Sequence, residues 1–178
     1  VTLEPCCTHG RTPPCTDAIT RAGIVRVVVG ATDPNPRHAG RGFAILEKAG
    51  IRVTPGVLAA ECAALNAGFN KWIRTGLPLV IAKAALSLDG RLTRPPGEGQ
   101  WLTCAQSRAD AMRLRASVDA ILFGAGTLRA DNPHLTVRGV RGFTGKQPWR
   151  AVLTRSGRLP ATAHLFTDAH RARTLVDR

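Results

Sequence analysis

The sequence has no tyrosine, and aromatic residues make up only 4% of its 178 positions. Few flat rings are on hand for base stacking, which counts against a single-stranded nucleic-acid binder. Acidic residues are scarce as well, 12 Asp and Glu against 25 Lys and Arg, for a net charge of +13. Lysine supplies only Lys48, Lys71, Lys83 and Lys146, so arginine carries the charge. Guanidinium forks match phosphate oxygens, and phosphorylated small molecules are the partner class this favours; charge alone does not exclude nucleic acid. Five cysteines do not make a disulfide-dense scaffold at this length, and a reducing, cytoplasmic setting is expected. No apolar run approaches the length of a transmembrane helix. Methionine occurs once, at Met112, and the first residue is Val1, so the chain is expected to be an internal fragment. What is present is ordinary globular material: 44% hydrophobic residues and enough length for one large or two small domains.

The densest chemistry lies in the stretch 2–15, Thr-Leu-Glu-Pro-Cys-Cys-Thr-His-Gly-Arg-Thr-Pro-Pro-Cys. Thiolates suit zinc, and two of them on a loop and a following helix form half of a tetrahedral site. Thr12 is expected to cap that helix, with the two prolines in its first turn and Cys15 near its positive end, where a thiolate is favoured. Pro5-Cys6 matches the start of the Pro-Cys-x-x-Cys half of the zinc-deaminase signature, but eight residues separate Cys6 from Cys15. A reduced structural cysteine cluster or a disulfide is the plainer alternative.

Downstream, residues 16–22 read as a short helix stopped by Gly23, and 24–29 as a β-branched strand buried on both faces. A second helix over 43–49 ends at Gly50, and a strand follows at 51–53. This helix–strand alternation argues for a mainly parallel α/β sheet. The loop 33–42 follows a strand end, where ligands of open sheets bind; His38 within it reads as a surface histidine. A longer helix over 58–74 aligns Leu58, Cys62, Leu65, Phe69 and Trp72 in one apolar stripe, with Cys62 as a buried small residue. Thr75-Gly76-Leu77-Pro78 breaks that helix, so the domain boundary is placed between residues 76 and 77.

In the second half, 79–87 has the pattern of a buried strand interrupted by Lys83, an expensive charge unless its ammonium reaches an anion. A helix over 105–116 and a strand over 119–123 follow, leading into Gly124-Ala125-Gly126-Thr127. Small residues after a strand let backbone amides approach a phosphate, and Thr127 adds a hydroxyl. A tight turn explains the same four residues equally well, and the full dinucleotide fingerprint is absent.

Pro5-Cys6, a glycine, then Thr12-Pro13-Pro14-Cys15 resembles the deaminase domain of the bifunctional riboflavin-biosynthesis deaminase/reductase family. The set Lys83, Ser87-Leu88-Asp89-Gly90-Arg91, Trp101, Gly126-Thr127, Ala130-Asp131-Asn132-Pro133 and Leu135-Thr136-Val137-Arg138 resembles the reductase domain of the same family. The resemblance is read from Val1 to about Leu159, thinning thereafter. It implies a partial cytidine-deaminase-like α/β/α layer (1–76) followed by a partial dihydrofolate-reductase-like α/β domain (77–178). Zinc is then expected on Cys6 and Cys15 but not Cys7 or His9, with a third ligand and a proton-shuttling Glu upstream of Val1. NADPH is expected against Ala85, Trp101, Thr127 and Asp131. The phosphoribosyl substrate is expected at Gly99 (serine in several relatives), Arg115, Leu135 and Arg138. Lys83 would stabilise that substrate, and Asp131 would orient cofactor and substrate.

The implied chemistry is hydrolytic deamination of a diaminopyrimidinone ribosyl phosphate, then NADPH-dependent reduction of ribosyl to ribityl. With a family glycine-rich motif also lacking at the far end, the fragment is expected to be inactive alone. The longer protein is expected to be a homo-oligomer with no nucleic-acid or membrane partner. Two rivals are a zinc-dependent nucleic-acid base deaminase and a non-enzymatic zinc-stabilised nucleic-acid-binding module.

Overall fold

The computed structural model describes residues 1–95, 97–99 and 101–178; Pro96 and Gln100 lie outside them. The chain divides into two compact units, Val1–Lys83 and Ala84–Arg178.

In the first unit, α1 (Cys15–Arg21) precedes β1 (Arg26–Val28), α2 (Arg41–Lys48) and β2 (Arg52–Thr54), and β1 and β2 pair in parallel. Leu3 bridges Ala31 in the same sense, extending the sheet toward the N-terminus. The core is Val27, Val29, Leu46 and Ile51, with Ile19, Phe43 and Val53 against it. Alternation explains why β1 is buried on one face only: Val27 and Val29 point inward, while Arg26 and Val28 are exposed. The expectation of a strand covered on both sides is therefore corrected.

The long helix over 58–74 is in fact two, α3 (Ala59–Leu65) and α4 (Ala67–Thr75). Asn66 interrupts them: its side-chain amide donates to the Cys62 carbonyl at 2.8 Å, and the Asn70 amide donates to Ala63 at 3.0 Å. Such bonds compete with the helical ladder. Of the expected stripe only Cys62 is buried; Leu58, Leu65, Phe69 and Trp72 are exposed. Cys62 sits so close to Gly30 that a Cβ there would lie 2.2 Å from its sulfur.

The second unit contains α5 (Ala105–Ala116), β3 (Ala120–Gly124), α6 (Ala125–Asp131), β4 (Trp149–Leu153), α7 (His164–Thr167) and β5 (Thr174–Asp177). Its sheet is parallel, in the order β3-β4-β5. Ala125, Leu128, Val152, Ala163 and Leu165 form its core. The turn expected after β3 is instead the start of α6, because Ala125 and Leu128, one helical turn apart, both bury against the sheet.

A further correction concerns residues 79–87, which form no strand. Val80 is 81% exposed and Lys83 is exposed too. A strand needs a neighbour for its backbone groups, and no described residue supplies one. Lys83 is therefore a solvated charge and not a costly buried one.

Candidate functional site

The first unit folds its two metal-type thiols together. Cys6 takes the capping role expected of Thr12: its sulfur accepts the Cys15 N–H at 3.3 Å and its carbonyl accepts the Thr16 N–H at 3.2 Å. Thr12 makes no cap; its carbonyl accepts the Gly10 N–H, and Pro14 is the residue preceding the helix. Cys15 is thus the first helical residue, in contact with Cys6. The hydrogen bond that the Cys15 thiol gives to Cys6, then slight desolvation, raise the Cys15 pKa. A bound cation would reverse that balance, since a coordinating thiol loses its proton. Cys6 and Cys15 fit a soft metal as half a ligand set, but no group of three or more His, Cys, Asp and Glu is arranged to hold one among the described residues. A cleft of about 400 Å³ opens beside them, lined by Leu3, Pro5, Cys6, Cys15, Asn35 and His38 among others.

His38, expected at the surface, is 7% exposed. Its Nδ1 accepts the Cys7 N–H at 3.4 Å, which assigns the ring proton to Nε2, 3.3 Å from Thr8 Oγ1. The Cys7 sulfur also lies 3.4 Å from Nδ1. Cys7 is therefore engaged with His38 while Cys6 faces Cys15. His9 is exposed, and its ring Nδ1 lies 3.3 Å from the Gly10 carbonyl.

Glu4 was not singled out from the sequence, and it organises this cleft. Its carboxylate is 3% exposed and accepts backbone N–H groups from Asp33 (3.1 Å), Gly40 (2.9 and 3.0 Å) and Gly42 (2.9 Å). One buried side chain thus fixes the loop that carries Asn35 and His38. Gly42 is required at its position, because a Cβ would lie 2.3 Å from the Pro5 carbonyl. The only hint in the sequence is a carboxylate inside an otherwise apolar and cysteine-rich run.

In the second unit the candidate residues fall into groups. Thr127 and Asp131, four residues apart on α6, share a face, and both are exposed. Gly126 has no left-handed backbone, and a Cβ there would meet nothing within 4 Å. Neither backbone conformation nor packing within the chain calls for glycine at that position. An open face beside a threonine hydroxyl and a helix start fits a phosphate-bearing cofactor. Trp101 is exposed and carries the Arg108 guanidinium 4.9 Å from its ring. Gly99 takes φ 90°, a conformation that favours glycine over a serine at this position. Ala85 is half-buried, and among the described residues no hydrogen bond joins it to the other candidates.

Arg115 and Arg138 are neighbours. Arg115 Nη1 donates to the Thr136 carbonyl at 3.0 Å, and burial, then the Arg138 charge, press its pKa below the usual arginine value. Neither arginine forms an ion pair among the described residues. Two guanidiniums without a carboxylate favour an anion. Leu135 lies between them in the chain, left-handed at φ 54° and packed against the core.

Sequence reasoning also missed Arg150, 1% exposed on β4. It forms a two-pronged ion pair with Asp168 (2.6 and 3.0 Å) and donates to the carbonyls of His134 and Leu165 and to Thr174 Oγ1. This guanidinium ties β4, α7, β5 and the segment after α6 into one unit.

The RibD C-terminal domain family matches residues 78–178, a range that runs past Leu159. The riboflavin biosynthesis protein RibD of Bacillus amyloliquefaciens is 46% identical over 168 residues, covering 94% of this chain and 45% of that protein. RibD of Escherichia coli is 52% identical over 138 residues, 78% of this chain and 38% of the relative. Among solved structures, Acinetobacter baumannii RibD superposes with a TM-score of 0.86 at 43% identity, covering 98% of this chain and 49% of that one. A diaminohydroxyphosphoribosylaminopyrimidine deaminase/5-amino-6-(5-phosphoribosylamino)uracil reductase from Thermotoga maritima gives 0.81 at 37% identity over 98% of this chain. The chain spans about half the length of these relatives.

Proposed function

The chain belongs to the RibD family, and from that premise we propose that its second unit is part of an NADPH-dependent reductase of riboflavin biosynthesis acting on a phosphoribosylamino-pyrimidine. The observation that carries this reading is the pair Arg115 and Arg138, adjacent and in no ion pair among the described residues, inside the matched region. NADPH, when bound, supplies hydride to the sugar C1, which opens ribosyl to ribityl.

The chain's own part is binding and orientation. Arg115 and Arg138 hold the substrate phosphate, with Gly99 and Leu135 bordering it. Ala85, Trp101 and Thr127 line the cofactor, and Asp131 orients cofactor and substrate from the same face of α6 as Thr127. Lys83 adds positive charge toward the substrate; its exposure leaves the ammonium free to do so.

Residues 1–76, within the first unit, are read as part of a zinc-dependent deaminase domain, in which Cys6 and Cys15 hold the metal, and residues 77–178 as part of the reductase domain. Glu4 fixes the loop that carries Asn35 and His38 into the lining of the same cleft. No catalytic step is derived there, because the described residues offer only two ligands. The longer protein would be bifunctional, cytoplasmic and self-associating. The nucleic-acid alternatives lose their support, since the family matched is that of a small-molecule pathway.

The test is paired kinetics on the longer protein, ammonia release against NADPH oxidation. Arg138→Ala is expected to raise KM for the phosphorylated substrate and not for its dephosphorylated analogue. Lys83→Ala and Asp131→Ala are expected to damage NADPH oxidation and spare ammonia release. Unchanged NADPH oxidation in all three would overturn the assignment.

A further inference from the structure

The segment that follows α6 belongs to no strand, yet most of its turns are held by side chains. Asn132 and Leu135 adopt left-handed backbone at φ 39° and 54°, which is uncommon for residues with a Cβ. The His164 N–H donates to Asn132 Oδ1 at 2.9 Å, and Arg150 Nη1 donates to the His134 carbonyl at 3.0 Å. Arg115 Nη1 meets the Thr136 carbonyl. At Val137, which is 7% exposed, the Gln147 amide engages both backbone polar groups. The Val137 N–H donates to Oε1 at 2.6 Å, and Nε2 donates to the Val137 carbonyl at 3.2 Å. Gln147 is itself anchored by the buried Pro148 and the start of β4 at Trp149.

A primary amide is the side-chain group that supplies a donor and an acceptor side by side, as a neighbouring strand would; a carboxylate only accepts and an ammonium only donates. Gln147 thus stands in for a missing strand at the peptide immediately before Arg138. We propose that Gln147 is a positioning residue for the substrate anion, setting the peptide from which the Arg138 guanidinium is aimed. This rests on the reading of Arg138 as a phosphate contact.

The experiment is a double-mutant cycle in the longer protein, with Gln147→Met, Arg138→Ala and the double variant, read by NADPH-oxidation kinetics and thermal melts. Methionine keeps the length and removes both hydrogen bonds. Gln147→Met is expected to raise KM for the phosphorylated substrate about three- to tenfold, the loss expected of one or two modest hydrogen bonds. KM for NADPH should stay within about twofold of wild type, and kcat should change little. In the Arg138→Ala background the same substitution should add no further increase, because the group it positions is gone. If Gln147→Met lowers the melting temperature sharply, Gln147→Asn, which keeps the amide but withdraws it by one methylene, takes its place in the cycle.

Unchanged KM in a folded Gln147 variant, while Arg138→Ala raises it, overturns the positioning role and leaves the anion site standing. An equal increase in both backgrounds also overturns it, marking Gln147 as merely structural. No effect of Arg138→Ala sinks the anion site and the inference with it.

Discussion

Asp168→Asn is the sharpest test of what holds the second unit together. Arg150 is 1% exposed and Asp168 closes its guanidinium with bonds of 2.6 and 3.0 Å. Asparagine retains the shape and one acceptor, but it leaves a positive charge buried with only the carbonyls of His134 and Leu165 and the Thr174 hydroxyl around it. Removing one partner of a buried pair costs about 3–5 kcal/mol, a large share of a domain's total stability. Arg150→Met/Asp168→Leu removes both charges and should cost less than the two single changes combined. Urea unfolding followed by Trp149 fluorescence is the assay, since Trp149 adjoins Arg150 and stacks on Arg173 at 4.8 Å. The pH dependence has a definite sign. The hydrogen bond from Arg150 holds the Asp168 carboxyl below its ordinary value of 3.8. A carboxyl depressed in the folded state contributes stability that is complete above the unfolded value and lost as pH falls through the folded one. The gap between wild type and Asp168→Asn should therefore be constant at neutral pH and close below about pH 4. A cost under about 0.5 kcal/mol, the level of an ordinary surface change, would refute the reasoning.

Glu4→Gln should destabilise the first unit by about 1–3 kcal/mol, because one oxygen becomes a donor facing the Asp33 or Gly42 N–H; urea unfolding followed by circular dichroism checks it, and an unchanged midpoint removes Glu4 as the anchor. In the longer protein, Cys6→Ala or Cys15→Ala should abolish zinc retention while Cys7→Ser keeps it, as read by metal analysis; loss in Cys7→Ser alone would reverse the ligand choice. Gly126→Ala should stabilise α6 by about 0.5–1 kcal/mol, since its Cβ meets nothing, yet weaken NADPH binding. Melts and a cofactor titration separate the two effects, and a stabilised variant with unchanged affinity would remove this face from the cofactor site.

What the sequence determined by itself was local. The alternation of helices and strands, the glycine stops at Gly23, Gly50 and Gly76, and the pairing of Cys6 with Cys15 across a short loop all follow from conformational preference and reach over a few residues. The motifs at 2–15 and 83–138 were likewise legible, since residue type and spacing suffice to mark a chemistry. Tertiary structure decided where polar groups find partners. Glu4 reaches N–H groups 29 to 38 positions away, and Arg150 meets Asp168 and Thr174 across α7 and β5. His38 is drawn inside by Cys7 and Thr8. None of these has a periodic signature, because a buried hydrogen bond is specified by the three-dimensional neighbour and not by the run it sits in. The same reason accounts for 79–87, whose apolar pattern suits a buried strand but cannot become one until a second backbone lies alongside.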